Sequence, residues 1–461
     1  MRFAHRTLRA IGGAAMVGAL VLGTASAASA DATRDKQWQN KAFDIDAVHK
    51  VATGKGVTVA VLDAGVDGEH PDLTGSVLAG KRCSDGQPAN REVDDDHGTG
   101  MASLIAGHGH GAGNSQGMLG MAPDAKILPV DIYKTDGGTI GEARPVACTV
   151  GEAIRYAVDQ GADVINMSLS NDYAGADTKD AIAYAIAHDV VLVQASGNDG
   201  VENNSGIGST PGIAQVGGST QDGSRWDDDN GGSNYSKQLM FTAPGKDITV
   251  ATSNGDFDDA DGNSHKGDYL TTDGTSMSSA VASGTFALLK QKFPDYTPGQ
   301  LVNRIIKSTY IAKGVDKSKL PDAYHGYGDL SPLKALTANI PKGDANGPWD
   351  LSSLPKASGD KGKAAGNSSD AASDSSDSDS SNMLLYVGIG LAALVIIVVV
   401  VVVIVVSRNK NNRGGPGGPG GPGAPGTMPP PAYHQGGYPP QPQQPGPYGQ
   451  QQPPQWGPPR Q

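Results

Sequence analysis

Cysteine is scarce in this 461-residue chain: Cys83 and Cys148 are the only two, so at most one intramolecular disulfide can form. Basic charge is in the minority, with 36 Lys and Arg against 48 Asp and Glu and a formal net charge of −12. A folded body of that charge is a poor partner for nucleic acid or for an anionic membrane surface, so neither is expected as its ligand. No internal repeat is evident, and no array architecture is expected. The acidic loops Asp227–Asp229 and Asp256–Asp261 lack EF-hand spacing. They read as solvated loops, with structural calcium left open but not indicated.

Long apolar runs occur in two places, Ala10 to about Leu22 and Met383–Val406. Arg2, His5, Arg6 and Arg9 precede the first run and Ala28-Ser29-Ala30 follows it, which predicts a signal peptide over 1–30. The body of the chain would then lie outside the cytoplasm. There Cys83 and Cys148 most simply pair, with two free buried thiols as the alternative. Pairing would close a loop of about 65 residues, contributing roughly 4 kcal/mol in the chain-entropy view.

The second run is about 24 residues, roughly 36 Å as a helix, enough for a bilayer core of about 30 Å. Arg408, Lys410 and Arg413 follow it and an acidic serine tract precedes it. The positive-inside rule therefore predicts a single C-terminal transmembrane helix with the tail in the cytoplasm and the body outside. Residues 341–382, rich in Ser and Asp, read as a solvated stalk. Residues 407–461, rich in Gly, Pro and Gln, read as a low-complexity tail, either a passive tether or a ligand for a proline-recognising or envelope partner.

Between these ends, residues 43–340 alternate as one large α/β domain. Val57–Leu62, Lys126–Ile132, Asp163–Leu169 and Val190–Ala195 read as buried strands, with helices over Met101–Ala106, Val150–Gln160 and Thr178–His188. Such alternation predicts parallel crossovers and a sheet covered on both faces. Asp63, Ser168 and Asn198 fall at or just past strand carboxyl ends, where sheets of this kind place their sites. Shorter strands are expected near Ile213–Val216, Gln238–Thr242 and Ile248–Ala251, then helices over Ser276–Lys292 and Pro298–Ser308.

Four residues in this domain could carry chemistry together. Thr271–Gly284 places Ser276 at the first turn of a helix, where free backbone N–H groups favour an oxyanion. Alone, that pattern is more often a helix cap. Asp63 ends a buried strand and must be paired or hydrogen-bonded. His97 opens a glycine-punctuated helix, which leaves an accessible ring suited to a general base. Asn198 ends a strand in a glycine turn, where it is either a turn residue or a second oxyanion donor.

Together V-A-V-L-D-A-G-V-D with H-P-D-L, H-G-T-G-M-A-S, G-M-A-P-D-A-K-I, D-V-I-N-M-S-L-S, A-S-G-N, D-G-T-S-M-S-S-A and H-G-Y-G-D-L resemble the subtilisin-like serine peptidases, the subtilase family. The resemblance covers nearly all of 43–340, in the order Asp, His, Asn, Ser. It implies a three-layer α/β fold with a mainly parallel central sheet. It also implies a serine endopeptidase acting on protein or peptide through an acyl-enzyme, with no cofactor required for catalysis and no catalytic metal. Asp63 would orient the imidazole, His97 act as general base then acid, and Ser276 become acylated. Asn198 and the Ser276 N–H would form the oxyanion hole, and Ser168, Leu169 and Ser170 the edge that pairs with extended substrate.

Ala64, Gly100, Ser170 and Ala280 depart from the family pattern without removing a catalytic group. A zinc set of His97, His108 and His110 is not expected, because Gly109, Gly111 and Gly113 would leave the ligands mobile. The short extension 31–42 leaves no room for a large propeptide, so activation by removal of one is not expected. The whole layout resembles the mycosins, membrane-anchored peptidases associated with type VII secretion in actinobacteria and related Gram-positive bacteria. A type VII membrane complex is the implied partner, although the long cytoplasmic tail departs from that layout. A general envelope peptidase stands beside this reading. The alternative from another class is a structural component stabilising a secretion or envelope complex, with slow or dispensable proteolysis.

Overall fold

A computed structural model describes residues 32–91, 93, 95–134, 146–169, 175–228, 231–253, 257–258, 264–265 and 268–356. The apolar runs become a seven-stranded sheet: β1 Thr58–Asp63, β2 Lys81–Arg82, β3 Lys126–Asp131, β4 Val164–Met167, β5 Val191–Ala195, β6 Ile213–Ser219 and β7 Phe241–Pro244. Their spatial order is β7-β6-β5-β4-β1-β3-β2 and every pairing is parallel. Alternation within a strand builds the two faces. Val59 and Val61 of β1 join one apolar core, while Ala60 and Leu62 join the other. The first core is covered by α1 (His97–Ala106), α4 (Thr275–Lys292) and α5 (Pro298–Ile306); the second by α2 (Val150–Asp159) and α3 (Ala176–Ala187). Two apolar faces with helices on each give the three layers expected, and the parallel order gathers the strand carboxyl ends along one edge.

Helix α4 is buried from Thr275 to Lys290, so it runs through the interior instead of lying across the surface. Its run of Ser, Ala and Gly makes this feasible, because small side chains allow close approach and the hydroxyls of Ser278, Ser283 and Thr285 find acceptors. Ser278 donates to Pro244 O at 3.2 Å, Ser283 to Asn166 Oδ1 at 2.9 Å and Thr285 to Val281 O at 3.0 Å. At Gly284 a Cβ would sit 2.6 Å from Met121 Cβ, so only glycine fits there.

Several elements differ from the sequence reading. The strand expected over Gln238–Thr242 begins at Phe241, because Leu239 N–H turns back to Ser236 O. Short helices at Ala32–Lys36 and Trp38–Ala42 bind the N-terminal segment to a hairpin of His108–His110 and Gln116–Leu119, and a third, Ile45–His49, packs on the helix Pro332–Thr337. Gln37 is fully buried and exchanges hydrogen bonds with the Leu119 backbone at 3.0 Å each way, while Arg34 donates to Gly117 O. Beyond 340, residues assigned by composition to the stalk continue the folded body as far as 356. Trp349 enters the first core, and Gln300 Nε2 donates to Gly343 O at 3.2 Å. Trp349, with Leu351 packed on the first core and Leu354 on the second, anchors this stretch. Cys83 and Cys148 form a disulfide with Cα atoms 5.6 Å apart.

The expected signal peptide, transmembrane helix 383–406 and tail 407–461 lie outside the described residues. Among the described residues no helix is long and apolar enough to cross a membrane.

Candidate active site

Asp63 is the last residue of β1 and its side chain is 2 % exposed. A buried carboxylate needs donors, and it has them. Ala64 N–H donates to Oδ1 at 2.9 Å, and His97 Nδ1 lies 2.9 Å from both Oδ1 and Oδ2. Ala64, which brings no hydroxyl, thus still contributes its backbone donor. His97 opens α1 with its side chain 33 % exposed, and its N–H donates to Asp95 Oδ1 at 2.8 Å. The close fit between α1 and the end of β1 requires Gly98, where a Cβ would collide with Gly65 O. Asp96 precedes the histidine and accepts Ser253 N–H at 2.7 Å; burial pushes its carboxyl above the usual range, partly offset by the bonds to Ser253.

Ser276 is 8 % exposed in the first turn of α4, the helix that packs on α1. Its carbonyl accepts the Ser279 hydroxyl at 2.8 Å and the Ser168 hydroxyl at 3.3 Å. Asn198 lies just past β5. Thr275 donates to its Oδ1 twice at 2.9 Å, from N–H and from Oγ1, and Thr275 Oγ1 accepts Gly197 N–H at 3.0 Å. With the amide oxygen committed, the donor end is set: a Cβ on Gly274 would sit 3.5 Å from Asn198 Nδ2, so that NH2 lies beside the turn bearing Ser276. Thr275 is a site residue that sequence reasoning passed over. Its place between Gly274 and Ser276 in D-G-T-S was the only signal.

The remaining candidates divide. Ser168 bonds toward α4, and Leu169 is buried with its carbonyl accepting Gln194 Nε2 at 2.8 Å; Ser170 lies outside the described residues. Gly100 faces the strand Ile248–Ala251, where a Cβ would approach Val250 Cβ to 3.2 Å, and Ala280 is fully buried. The three histidines do not converge on one point. His97 turns to Asp63, His108 Nε2 to Thr74 O at 3.1 Å and His110 Nδ1 to Asp72 Oδ1 at 2.6 Å. Of the acidic loops, Asp227 pairs with Arg225 and Asp228 with Lys246, both at 2.7 Å; Asp229 and most of 256–261 are not described.

A family model described as the subtilase family matches residues 54–328, a span that includes Asp63, His97, Asn198 and Ser276. The chain belongs to the subtilase family. This subtilase is 31% identical to Mycosin-1 of Mycolicibacterium smegmatis over 70% of its own length and 77% of that protein. It is also 31% identical to an intracellular serine protease of Paenibacillus polymyxa, over 57% of this chain and 77% of the other. Among solved structures, MycP1 from Mycobacterium smegmatis superposes with a TM-score of 0.56 at 27% identity, covering 72% of this chain and 91% of that one. MycP1 from the ESX-1 type VII secretion system gives 0.57 at 28% identity, over 68% and 89%. This subtilase is therefore a subtilisin-like serine protease related to the mycosins.

Proposed function

We propose that this subtilase is an endopeptidase that cleaves peptide bonds through an acyl-enzyme on Ser276, anchored by residues 383–406 with its peptidase body at the outer face of the cell membrane. The observation that carries the reading is the grip of buried Asp63 on His97 Nδ1 at 2.9 Å. That bond decides which ring nitrogen holds the proton: with Nδ1–H given to Asp63, Nε2 is the basic nitrogen.

Nε2 takes the Ser276 hydroxyl proton as Oγ bonds to the scissile carbonyl carbon, and the carbonyl π electrons move onto oxygen. Asn198 Nδ2–H and the Ser276 N–H receive that charge; one such donor contributes about 3 kcal/mol to the transition state. The imidazolium then returns its proton to the departing amine as the C–N bond breaks, leaving an ester on Ser276. Water, deprotonated by the same nitrogen, attacks the ester and restores the serine. Asp63, held by Ala64 N–H, stabilises the imidazolium. Ser168, Leu169 and Ser170 are assigned as the edge to which extended substrate adds as a strand.

The membrane setting rests on the apolar run 383–406 and the basic residues after it. Similarity to Mycosin-1 and to MycP1 of the ESX-1 type VII secretion system supports a secretion membrane complex as partner. The test is digestion of an unstructured protein such as casein by the full-length chain in detergent, against Ser276→Ala. Internal cleavage by wild type alone is expected. Intact casein after prolonged incubation with folded wild type, or equal cleavage by the variant, would sink the reading.

A further inference from the structure

We propose that Lys246 is a positioning residue for the nucleophile, clamping the Asp273–Gly274 turn that delivers Ser276; this rests on the active-site assignment above. Lys246 lies in the P-G-K-D loop between β7 and the strand Ile248–Ala251. Its ammonium reaches Asp273 Oδ2 at 2.5 Å and Asp228 Oδ2 at 2.7 Å. Asp247 N–H donates to the other oxygen of Asp273 at 2.7 Å, and Gly274 N–H donates to Gly245 O at 2.8 Å. Three consecutive residues, 245 to 247, thus grip the two that lead into the active-site turn. Glycine is required at 245, because a Cβ there would approach Ser278 Oγ to 2.5 Å and Gly274 O to 3.0 Å.

The clamp is braced from outside. Trp226 Nε1 donates to Asp228 Oδ2 at 2.9 Å, and Trp38 Nε1 of the N-terminal segment donates to the carbonyls of Lys246 and Asp247, both at 3.1 Å. Burial alone would lower the basicity of Lys246, but the ion pairs with Asp228 and Asp273 more than offset it and hold the group above its ordinary value. The lysine therefore stays charged throughout the neutral range. On the inner side, Asn198 and Gly197 hold Thr275. Gly274 is bracketed between two anchors, one on residue 273 and one on residue 275, and the direction in which Ser276 leaves the turn depends on both.

A half-buried ion pair at the surface contributes little to global stability. Its loss is expected to appear as misplacement of the nucleophile, where about 1 Å can cost as much as a hundredfold in rate. The test is the second-order rate of Ser276 labelling by a fluorophosphonate in the full-length chain, with thermal midpoints measured alongside. Lys246→Met and Asp273→Asn should each label about tenfold slower or more, with midpoints near wild type and an unshifted pH profile. Lys246→Arg should recover to within about threefold, because a guanidinium can bridge both carboxylates. If Lys246→Met does not fold, Asp273→Asn decides, since its amide keeps an acceptor for Asp247 N–H. A folded Lys246→Met or Asp273→Asn labelled at the wild-type rate overturns the proposal. A folded wild type without label on Ser276 overturns the active-site assignment instead, and this proposal with it.

Discussion

Two histidine–aspartate pairs stand in this molecule, alike in composition and unlike in setting. Asp63 and His97 are 2 % and 33 % exposed; Asp72 and His110 are 0 % and 35 %. Both histidines turn Nδ1 to a buried carboxylate. The difference lies in what the second oxygen does and in which elements neighbour the pair. Asp72 Oδ2 accepts Met118 N–H at 2.7 Å and the Tyr269 hydroxyl at 2.8 Å, tying a hairpin to a neighbouring strand. Asp63 gives both oxygens to one imidazole, at the carboxyl end of a parallel strand beside the helix that begins with Thr275 and Ser276. A buried His–Asp pair is a structural joint by default, and the proposed role of Asp63 and His97 depends on Ser276 acting as nucleophile beside them.

Replacing each histidine in turn should separate the two pairs by the widest margin. His97→Ala should slow labelling of Ser276 by about 10⁴-fold or more, whereas His110→Ala should change it less than about threefold, read as second-order rates. Another aspartate, Asp329, has its carboxyl enclosed by the fold and shows what the pairing avoids. Its Oδ1 has no hydrogen-bond partner, and burial pushes the carboxyl from 3.8 up to about 7, against the pull of the Ser219 and Thr242 hydroxyls. Between those pH values the folded chain keeps a proton that the unfolded chain has lost, so stability falls as pH rises from about 4 to about 7. Asp329→Asn cannot ionise. Chemical denaturation should show it more stable than wild type by up to about 4 kcal/mol at pH 8, with no gain at pH 4.

Asp72→Asn should cost about 2 to 3 kcal/mol in denaturant, since the amide cannot accept from all three partners, while labelling per folded molecule persists. A matching loss of labelling would make the two pairs one functional unit. The smallest effect belongs to Ala64→Ser, which adds a hydroxyl beside a carboxylate already held by a backbone donor. Labelling should change less than about fivefold.

The layered fold was readable because parallel strands buried on both faces are continuous apolar runs, as at Val57–Leu62 and Val190–Ala195. The motif residues were readable because each needed an unusual neighbour: glycine after His97, glycine before Thr275, an acid ending a buried strand. What escaped depends on contacts between distant segments. Lys246, Asp228 and Asp273 meet only after folding, and no local pattern marks them. Gln37 and Trp38 look like an ordinary polar leader until their partners at Leu119 and at Lys246 and Asp247 are in place. Trp349 was hidden by its surroundings, where composition favoured a stalk.

The most direct measurement is the site of the fluorophosphonate adduct on the full-length wild-type chain, located by peptide mass spectrometry. An adduct on Ser276 that vanishes in His97→Ala and persists in His110→Ala is the expected result. An adduct on another residue, or label on Ser276 that survives in His97→Ala, would contradict the assignment of Asp63, His97 and Ser276 as the catalytic unit.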